Sequence, residues 1–579
     1  MQKLLKYLSN YKMESIMGPL FKMLEAGFEL LVPLVMARMI DIGIKQQDSG
    51  YILKMGGILV LLGVIGLTCS LTAQYFSAKA AVGFGTALRN DLFAHINQFS
   101  YTEIDQVGTA TLITRITSDA NQVQSGVNMV LRLFLRSPFI VIGAMIMAFT
   151  IDAKSALVFA VIIPLLSVVV FGILLISMPL YKKVQKQLDR VLLAMRENLL
   201  GVRVVRAFNR QQDEIQRFDE ENDRLVNFQV FVGKISALMN PITYVMINAA
   251  IVVLIWVGGN RVECGRISQG EVVALVNYMS QILVELVKLA NLIITISKSL
   301  ACANRIRAVL DQRSSSTEKG VKVVLQTPSS GGAAKVEFRA VDFSYAGAKE
   351  ESLSRISFCV KKGETIGIIG GTGSGKSTLV NLIPRFYEVT SGAILIDGID
   401  SREYALSQLR EQIGVVPQKS VLFKGTIRDN LRWGKEDATE AEMYLALRIA
   451  QAESFVEEKG QGLDLMIQQG GKNLSGGQRQ RLTIARALIK QPEILILDDS
   501  ASALDFATDA NLRKAILQYT QDMTVFMVSQ RATTIQHADQ IIVLEDGNLM
   551  GCGTHRELLK SCEIYREICF SQLSKEEVQ

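Results

Sequence analysis

Six apolar stretches, each about long enough to cross ~30 Å of hydrocarbon as a helix, crowd into the first half of this 579-residue chain. They lie at Ser15–Ile44, Ile52–Ala78, Val130–Ile151, Ser155–Leu180, Ala237–Gly259 and Val272–Lys298. One such stretch could be a buried helix of a soluble protein; six in succession call for a bilayer. The loops alternate in length. Lys45–Tyr51, Asp152–Lys154 and Asn260–Glu271 are short, whereas long polar segments follow the second and fourth stretches. The long segments carry Arg89, Arg115, Lys182, Lys183, Lys186, Arg196, Arg203, Arg206 and Arg210, so the positive-inside rule places them and both termini in the cytoplasm. Arg261 and Arg266, in the last short loop, are mild exceptions. The long segments still read as helical and are expected to run beyond the lipid, turning at Phe99–Gly108 and Arg210–Phe218.

Composition agrees with a chain that is part membrane and part soluble: 49% of residues are hydrophobic and 20% charged. The net charge of +6 comes without a long basic run, so no nucleic-acid partner is expected. Seven cysteines without a CxxC pair, and three histidines, argue against a zinc site or a disulfide framework. The opening MQKLLKYLSNYKMES lacks a short apolar core with a cleavage site and reads as a retained cytoplasmic segment. Charges inside the spans are costly in lipid and face protein or a water-filled cavity. Glu25, Glu29 and Glu285 are therefore read as lining a cavity for cationic amphiphiles, with helix–helix pairing or snorkelling as the alternatives.

Composition shifts after Leu310. Residues 1–310 form the expected membrane domain, 311–334 a Ser-, Gly- and Thr-rich linker, and 335–579 a second domain. In that domain Val336–Tyr345 alternates with period two. Thr365–Ile369, Ile494–Leu497 and Thr524–Val528 are continuous apolar runs typical of buried strands, and Asp546-Gly547 signals a hairpin. The expected class is an α/β nucleotide-binding domain following a multi-pass helical one.

The most specific motif is Gly370-Gly371-Thr372-Gly373-Ser374-Gly375-Lys376-Ser377-Thr378, which follows an apolar strand and opens a helix, as a P-loop does. Its glycines let backbone amides approach phosphates, Lys376 can reach the β- and γ-phosphates, and the Ser377 hydroxyl can ligate magnesium. Ile494-Leu495-Ile496-Leu497-Asp498 ends an apolar strand in a carboxylate, the Walker B arrangement, with Asp498 placed to hold Mg²⁺. These two motifs alone establish only nucleotide binding.

Leu474-Ser475-Gly476-Gly477-Gln478 narrows the choice, because it matches the signature of ABC transporters, which the chain resembles over essentially its whole length. In that family two nucleotide-binding domains meet head to tail, each signature closing the ATP site built on the other's P-loop. Ser475 can cap the helix that follows, leaving amides exposed to a γ-phosphate. The resemblance further implies that Tyr345 stacks on adenine, that Gln418 contacts magnesium and links to the membrane domain, and that Ser502-Ala503-Leu504-Asp505 crosses the dimer interface. The fused six-span domain is similar to that of ABC exporters.

Two positions depart from the family pattern. Asp499 stands where the catalytic glutamate is usual, and Gln530 where a histidine is usual. The shorter carboxylate is drawn back from the attacking water, and glutamine cannot carry a positive charge to the γ-phosphate. Together they imply an ATP site that binds nucleotide and hydrolyses it slowly, beside an intact signature. That combination resembles the degenerate-site half of a heterodimeric bacterial multidrug ABC exporter, whose partner chain supplies the Glu and His; a slow homodimer is the alternative. The expected activity is ATP-driven export of hydrophobic or amphipathic compounds across the cytoplasmic membrane. A lipid or lipid-linked glycan flippase and a nucleotide-gated regulator are the competing readings.

Overall fold

The computed structural model describes residues 2–312, 334–500, 502–519 and 522–572. The chain divides into two compact units, Met1–Asn97 with Ala110–Gln312 and Gln98–Thr109 with Arg313–Gln579. The linker expected at 311–334 falls almost wholly on 313–333, outside the described residues.

The first unit is helical: α1 (Lys12–Arg38), α2 (Ser49–Asn97), then, beyond the Gln98–Thr109 segment, α4 (Ala120–Leu133), α5 (Arg136–Ile151), α6 (Ala153–Ala207), α7 (Gln211–Ala237), α8 (Met239–Glu263) and α9 (Gln269–Asp311); α3 lies in the segment assigned to the second unit and is given below. Among the described residues, five helical stretches are long and apolar enough to cross a membrane: Ser49–Asn97, Thr109–Ile151, Ala153–Ala207, Gln211–Glu263 and Gln269–Asp311. The first expected span, Ser15–Ile44, is not among them. It is built as α1 followed by a π-helical turn, Met39–Ile44, and its Lys22, Glu25, Glu29, Arg38 and Asp41 crowd too many charges into the apolar run. Two further expectations shift. The span at Val130–Ile151 is interrupted between α4 and α5, with Arg136 opening the second piece. The turn expected at Arg210–Phe218 sits slightly earlier, between Ala207 and Gln211, and residues 211–218 already belong to α7.

Small residues let these helices approach closely. Ala26, Ala144, Ala148, Ala156 and Ala274 are fully buried among Phe159, Leu166, Leu254, Tyr278 and Ile282. Two polar ties close the short-loop end. Asp41 accepts hydrogen bonds from the Gly270 amide (2.8 Å) and the Ser268 hydroxyl, joining the end of the first helix to the start of α9. A Cβ at Gly270 would lie 2.2 Å from the Ala37 carbonyl oxygen, so glycine is required for that approach. Asp152 caps α6 through the Ser155 amide (2.9 Å) and pairs with Arg261 of α8 (2.5 Å).

The second unit contains α3 (Tyr101–Val107), from the segment where the first turn was expected, and an α/β domain. A capping box between Ser100 and Glu103 starts α3, and Gly108 at φ +80° ends it. Strands β1 (Ala334–Phe343), β2 (Leu353–Lys361), β4 (Ser391–Ile396) and β5 (Ile399–Asp400) form an antiparallel sheet in the order β2-β1-β4-β5; β3 (Thr365–Gly370) stands in the second sheet. That sheet also holds β6 (Ile413–Val416), β9 (Ile494–Asp498), β10 (Thr524–Val528), β11 (Gln540–Glu545) and β12 (Asn548–Gly553), in the order β12-β11-β3-β10-β9-β6; β7 (Gly425–Thr426) and β8 (Met466–Ile467) pair separately. It is parallel except at its β12 edge. Every residue of β9 and β10 is buried, which is why both read as unbroken apolar runs. Asp546 (φ +44°) and Gly547 (φ +78°) make the tight turn between β11 and β12.

Candidate nucleotide-binding site

The order β3-β10-β9 brings three loops to one edge of the sheet. Val528 is level with both Ile368 and Asp498, so the P-loop, the Asp498-Asp499 pair and Ser529-Gln530 leave the sheet side by side. They surround a cleft of about 950 Å³ whose walls include Tyr345, Thr372, Gly373, Gly375, Lys376, Ser377, Thr378, Gln418, Asp498, Asp499 and Gln530. Gly370, Gly371 and Ser374 belong to the same loop without forming its wall.

The loop is held open by its glycines. Gly373 and Gly375 take φ of +86° and +94°, and a Cβ at Gly375 would lie 2.8 Å from the Leu353 side chain. Helix α10 (Lys376–Leu382) starts directly after them. The Lys376 ammonium donates to the Gly370 and Gly371 carbonyls (3.0 and 2.5 Å) and to the Ser374 hydroxyl (3.3 Å). Burial pulls its pKa down, against the opposing pull of Asp499 and Asp498. The Ser377 hydroxyl donates to Asp498 Oδ1 at 2.9 Å. Burial pushes the Asp498 carboxyl up, partly countered by that hydrogen bond.

This donor set fits a polyphosphate and a divalent cation. A buried ammonium now bonded to loop carbonyls can turn to phosphate oxygens, and a Ser hydroxyl beside a buried carboxylate can share a magnesium ion with Gln418. The Gln418 amide reaches Asp499 Oδ2 at 3.5 Å. The Tyr345 hydroxyl shares a hydrogen bond with Thr378 at 2.9 Å, leaving its half-exposed ring at the mouth of the cleft.

Leu474–Gln478 and Asp505 lie outside the cleft. Ser475 caps α11 (Gly476–Leu488): its hydroxyl accepts from the Gln478 amide (3.2 Å), and the Gln478 side chain accepts from the Ser475 amide (3.0 Å). A Cβ at Gly477 would meet the Ala503 carbonyl at 3.1 Å, so the signature turn packs against the 502–505 loop. Asp505 accepts from the amide and the hydroxyl of Thr508, both at 2.8 Å. Sequence reasoning missed Lys349, Glu350, Glu351, Asp546 and Gly547, all in the cleft wall. The hairpin signal marked the last two, but their position depends on the Gly547 carbonyl accepting from the Ser354 amide (2.9 Å).

In the first unit the three carboxylates expected to attract cations already have them. Glu25 pairs with Lys22 (2.5 Å), Glu29 with Arg136 (2.7 Å), and Glu285 with Arg136 (2.6 Å) and Lys288 (2.8 Å). Glu29 and Glu285 line a pocket of about 290 Å³; Glu25 is not in its wall. The set holds three carboxylates against three cations and has no surplus negative charge.

The family model for the ABC transporter transmembrane region matches residues 15–286, and the ABC transporter model matches 353–502. Over 548 residues, 94% of this chain and 93% of the other, the sequence is 40% identical to an uncharacterised ABC transporter ATP-binding protein of Mycobacterium tuberculosis. It is 36% identical over 472 residues, 82% of each chain, to an ATP-dependent lipid A-core flippase of Desulfotalea psychrophila. It is 31% identical over 581 residues, 98% of each chain, to the putative multidrug export ATP-binding/permease protein YgaD of Bacillus subtilis.

Proposed function

Given that this chain belongs to the ABC transporters, as a half-transporter whose membrane domain is fused to its nucleotide-binding domain, we propose that it exports hydrophobic or amphipathic compounds, paired with a different half-transporter. Residues 1–310 would carry the substrate path, with α1 as a sixth span whose charges pair inside the protein, and 335–579 would bind Mg·ATP. In this reading Lys376 holds the phosphates, Ser377, Asp498 and Gln418 the metal ion, and Tyr345 the adenine. The P-loop glycines with Thr372, Ser374 and Thr378 supply the cradle, and Leu474–Gln478 with Asp505 complete the partner's site. The bacterial relatives support a bacterial cytoplasmic membrane as its location, with the long loops, both termini and the nucleotide-binding domain inside.

The observation that carries the heterodimer is Asp499. It follows the Walker B strand at φ +46° with its carboxylate in the cleft wall and the Gln418 amide 3.5 Å away, and it is one methylene shorter than the glutamate usual there. With Gln530 in the same wall, no histidine among the described residues lines the cleft. ATP bound here would hold the two cassettes together, while hydrolysis at the partner's P-loop, closed by Ser475, resets the spans.

Export of a lipid or lipid-linked glycan is the second reading, favoured by the relative named a lipid A-core flippase. Magnesium-dependent ATP hydrolysis in lipid, by this chain alone and with a co-expressed half-transporter, tests the pairing. The heterodimer requires negligible activity alone and strong activity for the pair, surviving Asp499→Asn but not loss of the partner's Walker B glutamate. Robust hydrolysis by this chain alone, abolished by Asp499→Asn, would establish a homodimer instead.

A further inference from the structure

Helix α9 carries a polar stripe, Asn277, Gln281, Glu285 and Lys288, spaced so that all four share one face. Polar groups on a membrane helix are costly unless something satisfies them. Glu285 is satisfied: it is buried, and its two oxygens accept from Arg136 (2.6 Å), Lys288 (2.8 Å) and the Ser137 hydroxyl (2.7 Å). The others are not. The Asn277 and Gln281 amides make no side-chain hydrogen bond among the described residues, and the Gln281 amide oxygen is buried without a partner. Lys288 makes one ion pair and keeps 43% of its side chain exposed. Opposite, on α1, Glu29 gives one oxygen to Arg136 and keeps 40% of its side chain exposed.

These groups meet in the 290 Å³ pocket, whose remaining wall is Val32, Pro33, Met36 and Val284 with Ser280, whose hydroxyl donates to the Val276 carbonyl (3.1 Å). The charges at the pocket cancel. Glu29, Glu285 and Lys288 are in its wall, and Arg136, behind the wall, pairs with both carboxylates, so a ligand of one charge sign gains no net attraction. A ligand with both signs gains at two points, an ammonium on the free Glu29 oxygen and an acid group on Lys288, with the two amides between.

Building on the export reading, we propose that this pocket binds the headgroup of a zwitterionic amphiphile, an ammonium and a phosphate or carboxylate on one apolar tail, rather than a cationic one. Such a headgroup could come from a bilayer phospholipid or from a soluble amphiphile.

The test is equilibrium binding to the full-length chain in phosphatidylglycerol nanodiscs, using dodecyl phosphoethanolamine, dodecylammonium and dodecyl phosphate. The zwitterion is expected to bind about tenfold more tightly than either probe bearing one sign of charge, the difference a charge-assisted contact makes. Glu29→Gln should shift preference toward dodecyl phosphate, and Lys288→Gln toward dodecylammonium. Asn277→Ala, which removes no internal bond, should weaken zwitterion binding in a chain that folds normally. Equal affinity for the three probes, preference for the cation, or binding of none overturns the proposal. Phosphatidylethanolamine doped into the disc competes with the probe if the bilayer is a source, and leaves it unaffected if only soluble amphiphiles reach the site. Transport by the co-expressed pair is assayed separately: selective binding without translocation would remove the export reading and leave the pocket, and translocation without selectivity the reverse.

Discussion

The Tyr387 hydroxyl donates to the Asp105 carboxylate at 2.7 Å. The same tyrosine meets the ring of Tyr345 edge-on at 5.3 Å between centroids, while Tyr101 of α3 stacks on Phe386 at 4.6 Å. Burial, reinforced by Asp105, pushes the Tyr387 hydroxyl up, so it stays a donor at every physiological pH. One side chain thus touches both the residue expected to stack on adenine and the short helix from the membrane-domain sequence.

Tyr387→Phe keeps the ring and removes the hydrogen bond. The number of substrate molecules moved per ATP hydrolysed should fall, by about 2- to 30-fold for a coupling contact, with hydrolysis near its starting rate. Paired measurement of transport and ATPase in proteoliposomes checks this; a parallel fall in both would mean that the hydroxyl only supports folding.

Asp499→Glu restores the missing methylene. In a pair whose partner glutamate has been changed to glutamine, this substitution should raise hydrolysis by up to ~10²-fold, with Gln530→His adding to it. Single-turnover hydrolysis of radiolabelled ATP is the measurement. No gain from the double substitution would mean that the slow site has another cause.

Asp498 lies above the ordinary carboxylate range because burial disfavours its charge. The sign follows from that. Its contribution to stability is fully present below the unfolded pKa and is lost as pH rises through the raised folded value, so at neutral pH the buried charge is a cost. Asp498→Asn should raise the Tm of the nucleotide-free protein at pH 7 while abolishing magnesium-dependent ATP binding. In the unmodified protein that binding should fail on acidification at a higher pH than for an ordinary aspartate. Thermal scans and nucleotide titrations across pH 4 to 8 check both (roughly the span around the reference value).

The P-loop, the Walker B strand and the signature helix were legible because each is local: a buried parallel strand reads as an apolar run, and its loop follows in sequence. Ser475 as a cap needed only Gln478 three residues on. What the sequence hid was long-range. The charge on Glu285 is answered by Arg136, far away along the chain, a pairing that counting carboxylates along the sequence does not identify. Asp546 reached the cleft only through strand order, with β11 beside β3, which no local pattern encodes. The second turn was misplaced because Arg210–Phe218 is polar enough for a loop yet equally good as the start of an exposed helix.

Arg136 is the hub of that network, and removing it should be costly. Arg136→Ala leaves Glu29 without an ion pair and Glu285 with Lys288 and the Ser137 hydroxyl. A loss of roughly 3–5 kcal/mol is expected for breaking a buried pair. Adding Glu285→Gln should recover part of it. Thermal unfolding in detergent measures both, and equal stability of the two variants would show that the pair is not coupled.

Asp41 fastens the end of the first helix to the start of α9, and Asp152 with Arg261 fastens α6 to α8 at the same short-loop end. Each tie joins two helices that are far apart in sequence. During a transport cycle the members of each couple must therefore swing as one strut, and any separation at that end has to fall between couples. A spin label on each side of the Asp41 tie would keep a constant distance through the cycle, while labels on different struts would not.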